Sequence, residues 1–230
     1  MDDLSLAEPA SDAAYARLKA DILQGAYRPG EKLLMSSLKE RYALGVGPMR
    51  EVLARLVAER LVSSVNQKGY RVASMSLEEM RDVYEARAHL EAMIVGLAVE
   101  RGDEAWEASI IARSHVLSKV VELHSPQEMV EIWDARHKAF HSAIASGCGS
   151  KSLLQARAFL QDQAERYRQI WLKRTVLSED ALRLKRAEHA ALVEAIIGRD
   201  ADKASKMMLD HLLTPVPIIT QIIESEQGLL

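Results

Sequence analysis

The chain has few of the features that mark secreted, membrane or redox proteins. Cys148 is the one cysteine in 230 residues. An intrachain disulfide framework is therefore excluded, and the usage fits a reducing cytosol. Following Gly147, Cys148 reads as the end of a helix rather than as a nucleophile. Aromatic residues make up 5% of the chain against 48% apolar residues, enough for real cores. No run of about 18 apolar residues occurs, so no membrane-spanning helix is expected. The opening MDDLSLAEPASD is acidic and lacks the charged-then-apolar pattern of a signal peptide. No strong charge of one sign is present either: the formal net charge is −3. That charge is unevenly spread. Residues 11–74 hold eleven Lys/Arg and six Asp/Glu, whereas residues 75–230 hold nineteen and twenty-four. A modestly basic head on an acidic body suits phosphate contact by one domain only, and the length suits two domains.

What is present is sharpest in residues 38–72, LKERYALGVGPMREVLARLVAERLVSSVNQKGYRV. A short helix pattern runs into the turn Leu44-Gly45-Val46-Gly47. A second helix, about Gly47 to Arg60, starts with Pro48 near its first position, where a missing N–H costs nothing. Met49, Val52, Leu53, Leu56 and Val57 fall on one side of it, with Arg50, Glu51 and Arg55 turned away. Leu61–Val65 and Tyr70–Val72 flank the polar turn Asn66-Gln67-Lys68-Gly69 as a hairpin. Upstream, a helix from about Ser11 to Gln24 ends at Gly25, and Pro29-Gly30 makes a turn. Ser36 is expected to cap the helix after it. Two helices, a tight turn and a small wing form a winged helix-turn-helix, which places a helix in a DNA major groove. Arg50 is then a phosphate or guanine contact, or else a surface arginine paired with Glu51. Ser36 and Gly47 can offer a hydroxyl and backbone N–H groups to phosphate. Lys39 and Arg41 are positioning charges or a solvated face.

From Ser76-Leu77-Glu78-Glu79, a capping box, helical periodicity takes over. Helices are expected over about 77–101, 104–123, 126–146, 150–173, 179–198 and 200–213. Pro215 and Pro217 should break the last, with a short apolar-faced extension over 218–226. Short loops favour a compact antiparallel bundle. The fold class is therefore mostly α: a flexible arm (1–10), a winged helix-turn-helix (11–74) and an all-α antiparallel helical bundle (75–230).

Four of the seven histidines lie on apolar helix stripes. Trp133, His137, Phe140, His141 and Ile144 make one, with the two imidazoles one turn apart. Leu182, Arg186, His189, Leu192, Val193 and Ile196 make another; Ala204, Met207, Met208, His211 and Leu212 make the third. Buried imidazoles must be hydrogen-bonded or ligated, since a lone buried polar group costs about 1–3 kcal/mol. A divalent transition metal would satisfy His137, His141, His189 and His211 together: zinc foremost, with nickel, iron, copper or manganese as alternatives. His89, His115 and His124 lack this setting, and His124 is expected to complement a helix C-terminus. Arg87 lies in a stripe of Met80, Val83, Tyr84, Leu90, Ile94 and Leu97. It either bridges to Glu91, one turn on, or captures the carboxylate of a ligand. Arg168 and Tyr167 are further candidates for that ligand.

Ile22-Leu23-Gln24-Gly25, Pro29-Gly30-Glu31-Lys32-Leu33, Pro48-Met49-Arg50-Glu51-Val52-Leu53 and Lys68-Gly69-Tyr70-Arg71-Val72 resemble the DNA-binding domain of GntR-family bacterial regulators. The helical remainder resembles the FCD effector domain of the FadR-type subfamily. Leu44–Pro48 and His137–His141 are similar to the CsiR-like, glutarate-responsive repressors. The resemblance implies a homodimer on a palindromic double-stranded DNA operator, and DNA contact by Arg50, Lys68 and Gly69. It also implies a metal held by Asp-x-x-x-His and two later histidines, and a small carboxylate effector, a dicarboxylate or hydroxy acid, held at Arg87. This chain departs from the pattern twice. His137 stands where the metal motif has Asp, and Gly45-Val46 stand where most members carry Ser-Arg. Val46 cannot read guanine and at most touches a thymine methyl, so a different operator is expected. Two rival readings share the histidines: a sensor in which the ion is the signal, and a hydrolase with metal-activated water. No nucleophile motif or phosphate loop supports the hydrolase.

Overall fold

The computed structural model describes residues 10–65 and 69–227. It separates into two compact units, dividing after Ser76.

The first unit contains α1 (Ala10–Leu23), β1 (Lys32–Leu33), α2 (Met35–Tyr42), α3 (Val46–Ala58), β2 (Val62–Val65) and β3 (Gly69–Val72). Ala14, Leu18 and Ile22 recur every four residues along α1. They meet Met49, Val52, Leu53 and Leu56 of α3, with Leu38 of α2, in one aliphatic core. The helical period places these residues on single faces. Ser36 does not cap α2. Extended Leu34 holds that position with no side-chain bond, so Ser36 falls inside the first turn. Gly45 caps α3, also without a side-chain bond, and Pro48 sits in the first turn, where no acceptor is denied. Beyond α3, Arg60 adopts a left-handed conformation (φ 57°). Its N–H bonds Val57, and that of Leu61 bonds Leu56. This is a Schellman ending built on a residue other than glycine.

The wing is a three-stranded antiparallel sheet in the order β1-β3-β2, with Leu33 opposite Tyr70 and Val62 opposite Val72. The sequence reading lacked β1, which at two residues is too short to show a period of two.

The second unit contains α4 (Leu77–Arg101), α5 (Glu104–Ser118), α6 (Pro126–Glu128), a π-helical stretch (Met129–Asp134), α7 (Ala135–Ser146), α8 (Lys151–Leu172), α9 (Glu179–Ile197), α10 (Ala201–Leu213) and α11 (Pro215–Gln227). Asp103, Ser125, Ser150, Ser178 and Asp200 each accept the N–H three residues on, which fixes five helix starts. Three expectations need correction. The 104–123 helix ends at Ser118. His124 precedes a helix instead of following one: its N–H donates to Glu128, while Ser125 accepts from the Glu128 N–H. Pro215 begins a further helix directly after Thr214, because both prolines fall in its first turn. Gly96 lets α4 and α10 approach closely; a Cβ there would stand 2.9 Å from Ser205 Oγ. No described helix is long and apolar enough to cross a membrane.

Candidate metal and ligand centre and DNA-reading surface

The three histidine stripes meet. α7 contributes His137 and His141, α9 His189 and α10 His211, and one ring nitrogen from each lies within 4.8 Å of all the others. His137 Nε2 is 3.0 Å from His141 Nε2 and 3.2 Å from His211 Nε2. Ring stacking sets this cluster: Trp133 lies flat on His137 with centroids 4.6 Å apart, and His141 stacks on His211 at 5.0 Å. Burial holds all four imidazoles below their usual pKa, His189 at about 3; repulsion from neighbouring imidazoles adds to the shift at His137, His141 and His189, whereas the Glu188 contact opposes it at His211. They are neutral near pH 7.

Neutral imidazoles satisfy one another only in part here, since one ring nitrogen can donate or accept a single bond in its plane. His137 Nε2 faces two other nitrogens, while His141 Nδ1 and His189 Nε2 are buried without a hydrogen-bond partner. Converging lone pairs call for a cation. Four nitrogens at about 2.0–2.1 Å from a tetrahedral zinc would stand roughly 3.3 Å apart, close to the two separations around His137, with all the others within 4.8 Å. The donor set therefore fits a borderline-soft divalent metal. The outer nitrogens differ. His211 Nδ1 lies 3.6 Å from Glu188 Oε2, and this contact, with Lys185 beside it, lowers the Glu188 carboxyl to about 2. A carboxylate there orients the ring and raises its basicity. His137 Nδ1 instead faces a cation, Arg168 Nη2, at 3.3 Å.

A cavity of about 40 Å³ adjoins the imidazoles. Roughly 10–15 Å³ of such space accommodates one water, so a few waters or the end of a small acid would fill it. Arg87, Arg157, Arg168, Tyr84 and Trp171 are among its walls, beside His137, His141 and His211. Arg87 makes the bridge to Glu91, at 2.9 Å, and also lines the cavity. Glu91 is shared with Arg157 of α8, at 3.0 Å. Burial alone would raise the Glu91 carboxyl, but the two guanidiniums hold it below the usual carboxylate range. Two buried groups in the walls have spare capacity: Arg157 Nη2 and the Tyr84 hydroxyl have no hydrogen-bond partner. Burial pushes the Tyr84 hydroxyl up to about 12, so it remains a donor.

Arg168 is brought to the cavity and pairs with Asp134, which Lys138 bridges to Glu165. Tyr167 is not brought there; although wholly buried, it donates its hydroxyl to Glu79. Sequence reasoning missed Arg157, Glu188 and the lining role of Tyr84. Only Tyr84 had a signal, its place on the Arg87 stripe.

In the first unit, Gly47, Pro48, Arg50, Glu51 and Ala54 form an exposed face of α3, and Ser36 is exposed on α2. Arg50 makes no ion pair among the described residues, so the pairing with Glu51 is not observed. Arg41 does pair, with Asp21 at 2.9 Å, and Arg55 with Asp12 at 2.6 Å. Gly69 has φ +86°, which only glycine adopts readily, at the base of the wing turn. Lys68 lies outside the described residues. Val46 is 40% exposed at the start of α3.

Residues 10–72 match the bacterial regulatory proteins of the gntR family, and residues 82–214 match the FCD domain. The chain is 56% identical over 207 residues to the HTH-type transcriptional repressor GlaR of Escherichia coli K12, covering 90% of this chain and 94% of that one. It is 32% identical to the HTH-type transcriptional regulator BphR of Paraburkholderia xenovorans, covering 91% and 85%. Among solved structures, Escherichia coli McbR/YncC superposes with a TM-score of 0.75 at 20% identity, covering 94% and 99%. A GntR regulator from Rhodococcus sp. RHA1 gives 0.66 at 18%, covering 92% and 97%. These last two likenesses concern the fold alone. Both families consist of transcription regulators and not enzymes, and the chain belongs to them: it is a GntR-family transcription regulator with an FCD domain.

Proposed function

We propose that the chain is a homodimeric repressor that leaves its operator when a small carboxylate binds beside a metal in the helical unit. The observation that carries this reading is the convergence of four neutral, buried imidazoles on one point at the edge of an arginine-lined cavity. His137, His141, His189 and His211 would hold the ion, zinc before nickel, iron or manganese. Once bound, the ion would supply a fixed positive charge for a carboxylate oxygen. The chain's own donors do the rest. Arg157 Nη2 and the Tyr84 hydroxyl are buried and unpaired on residues that line the cavity, and they would take the remaining ligand oxygens, while Arg87 and Arg168 set the positive potential. A dicarboxylate or hydroxy acid suits these walls, since it offers oxygens at both ends.

DNA contact is assigned to Arg50, with Ser36 and Gly47 offering groups to phosphate, and to Lys68 and Gly69 as further contacts. Two-fold symmetry would set two α3 helices on a palindrome. The ligand acts only if it binds the DNA-competent and DNA-free states unequally. The name of the GlaR relative supports repression.

The test is a thermal-shift screen of linear dicarboxylates, hydroxy acids and matched monocarboxylates on zinc-loaded protein, followed by a DNA shift assay with each hit. A dicarboxylate or hydroxy acid should stabilise wild-type protein, weaken DNA binding and do neither in His189→Ala. If zinc alone toggles DNA binding and no acid does, the ion is the signal and the carboxylate reading fails.

A further inference from the structure

The imidazole cluster stands between two cavities of opposite charge. The cavity described above carries Arg87, Arg157, Arg168, Lys138 and Lys185 in its walls with the single carboxylate Glu165, while Glu91 and Asp134 pair with four of these cations from outside the lining. A second, wider groove of about 240 Å³ is lined by Glu188, His189, Leu192, Met207, Asp210, His211 and Thr214. His137 and His141 line only the first, His189 only the second, and His211 both. The groove has two carboxylates and no lysine or arginine in its walls. Lys185, which pairs with Glu188 at 2.8 Å, lines the basic cavity instead. The groove is more than an acidic surface. Its wall includes His189, 4% exposed, whose buried Nε2 lacks any hydrogen-bond partner.

We propose that the Glu188–Asp210 groove is the route by which a divalent cation reaches and leaves the imidazoles, leaving the basic cavity to anions. The inference rests on the ion-binding reading above. A dication approaching through the basic cavity meets five cationic side chains and one carboxylate in the lining, whereas the groove lining offers it two carboxylates and ends on two imidazoles. Charge of one sign along a cleft raises the local concentration and association rate of its counter-ion, and salt weakens the effect. Separate routes would let the ion exchange without displacing a carboxylate from the other side.

The experiment mixes metal-free, full-length protein with Co²⁺ alone in a stopped-flow instrument and follows the visible absorbance that appears as cobalt gains nitrogen ligands. Asp210→Lys reverses the charge at the mouth, and Met207→Trp fills the half-buried wall. Circular dichroism and DNA shift assays establish that both variants are folded. Asp210→Lys should slow cobalt uptake several-fold at low salt. The gap should close at about 1 M salt, where the Debye length is about 3 Å. Met207→Trp should slow both uptake and chelator-driven release by a similar factor, with the final stoichiometry unchanged. Wild-type rates in both variants would overturn the route and leave the ion site standing. Wild-type protein that takes up neither cobalt nor zinc would overturn the ion site and the route together.

Discussion

Glu91→Gln isolates the charge balance behind the ligand cavity. Glu91 is 1% exposed and lies 2.9 Å from Arg87 Nε and 3.0 Å from Arg157 Nε. Two unlike charges about 4 Å apart attract by about 4 kcal/mol at an effective dielectric of 20, and burying all three groups offsets much of that gain. Removing one partner of such a set costs about 3–5 kcal/mol, because the remaining charges stay buried without compensation. The amide oxygen of glutamine can still accept from one guanidinium, so the lower end, about 3 kcal/mol, is expected. For a unit of this size each kcal/mol lowers Tm by about 2–4 °C, which gives a fall of roughly 6–12 °C. Urea unfolding followed by tryptophan fluorescence reads this unit alone, because Trp106, Trp133 and Trp171 all lie after Ser76. A carboxylate ligand near the freed guanidiniums should then stabilise Glu91→Gln more than it stabilises wild type. A loss under about 1 kcal/mol would refute the triad as a load on the fold. Equal ligand stabilisation in the two proteins would refute its link to the cavity.

Arg50→Ala should abolish specific operator binding in a shift assay and leave Tm within a degree or so, since Arg50 makes no ion pair among the described residues. Arg60→Gly should stabilise the DNA-binding unit by up to about 1 kcal/mol, by relieving a left-handed residue that costs about 1–2 kcal/mol, less the entropy glycine gives to the unfolded chain; hydrogen exchange in α3 would report it. His137→Ala should weaken metal binding less than His211→Ala in a competition titration with a chromogenic chelator, because the outer nitrogen of His137 faces Arg168 while that of His211 faces Glu188. Metal-free protein should lose stability as pH falls below about 6.5. Burial lowers the folded-state pKa of His189 to about 3, so the unfolded state binds more protons between those limits and stability drops with acid. At pH 5 this one residue contributes a loss of about 2 kcal/mol. His189→Leu should flatten the slope by about 1.4 kcal/mol per pH unit there, and an unchanged slope would count against the buried neutral imidazole.

What the sequence made legible, and what it hid, follows from the range of each interaction. The histidine set could be read because each member sits on an apolar stripe of its own helix, and the period of 3.6 says which residues face inward. Three inward-facing stripes in one small bundle have little choice but to meet. Arg157 was hidden for the opposite reason: its partner Glu91 lies 66 positions away on α4, and nothing in the α8 pattern singles it out. Glu188 lies off the histidine stripes, but its side of α9 is close enough to α10 for it to face His211. Tyr167 erred the other way. It is a ligand candidate beside Arg168 in the sequence, but adjacent helix positions point about 100° apart, and its hydroxyl reaches Glu79 on α4 instead. The Ser36 cap failed because the chain starts α2 from extended Leu34, a local backbone choice that residue type alone does not decide.

The same contrast bears on how the ligand site works. The arginines of the cavity are not idle anion hooks, because Arg87, Arg157 and Arg168 already hold Glu91 and Asp134. Those internal carboxylates hold the guanidiniums in place while the cavity is empty of ligand, which limits the entropy lost when a ligand arrives. They also cap the affinity, since under the carboxylate reading a ligand would gain only donors not already engaged by Glu91 and Asp134, Arg157 Nη2 and the Tyr84 hydroxyl among them, and the field of the cations around them. A regulator must release its ligand when the supply falls, so moderate affinity is useful. At a free concentration 100 times its dissociation constant, a ligand stabilises the state it binds by about 2.7 kcal/mol. If that state cannot hold the operator, the same energy is available to shift DNA binding by about 100-fold, within the usual range of coupling between two sites.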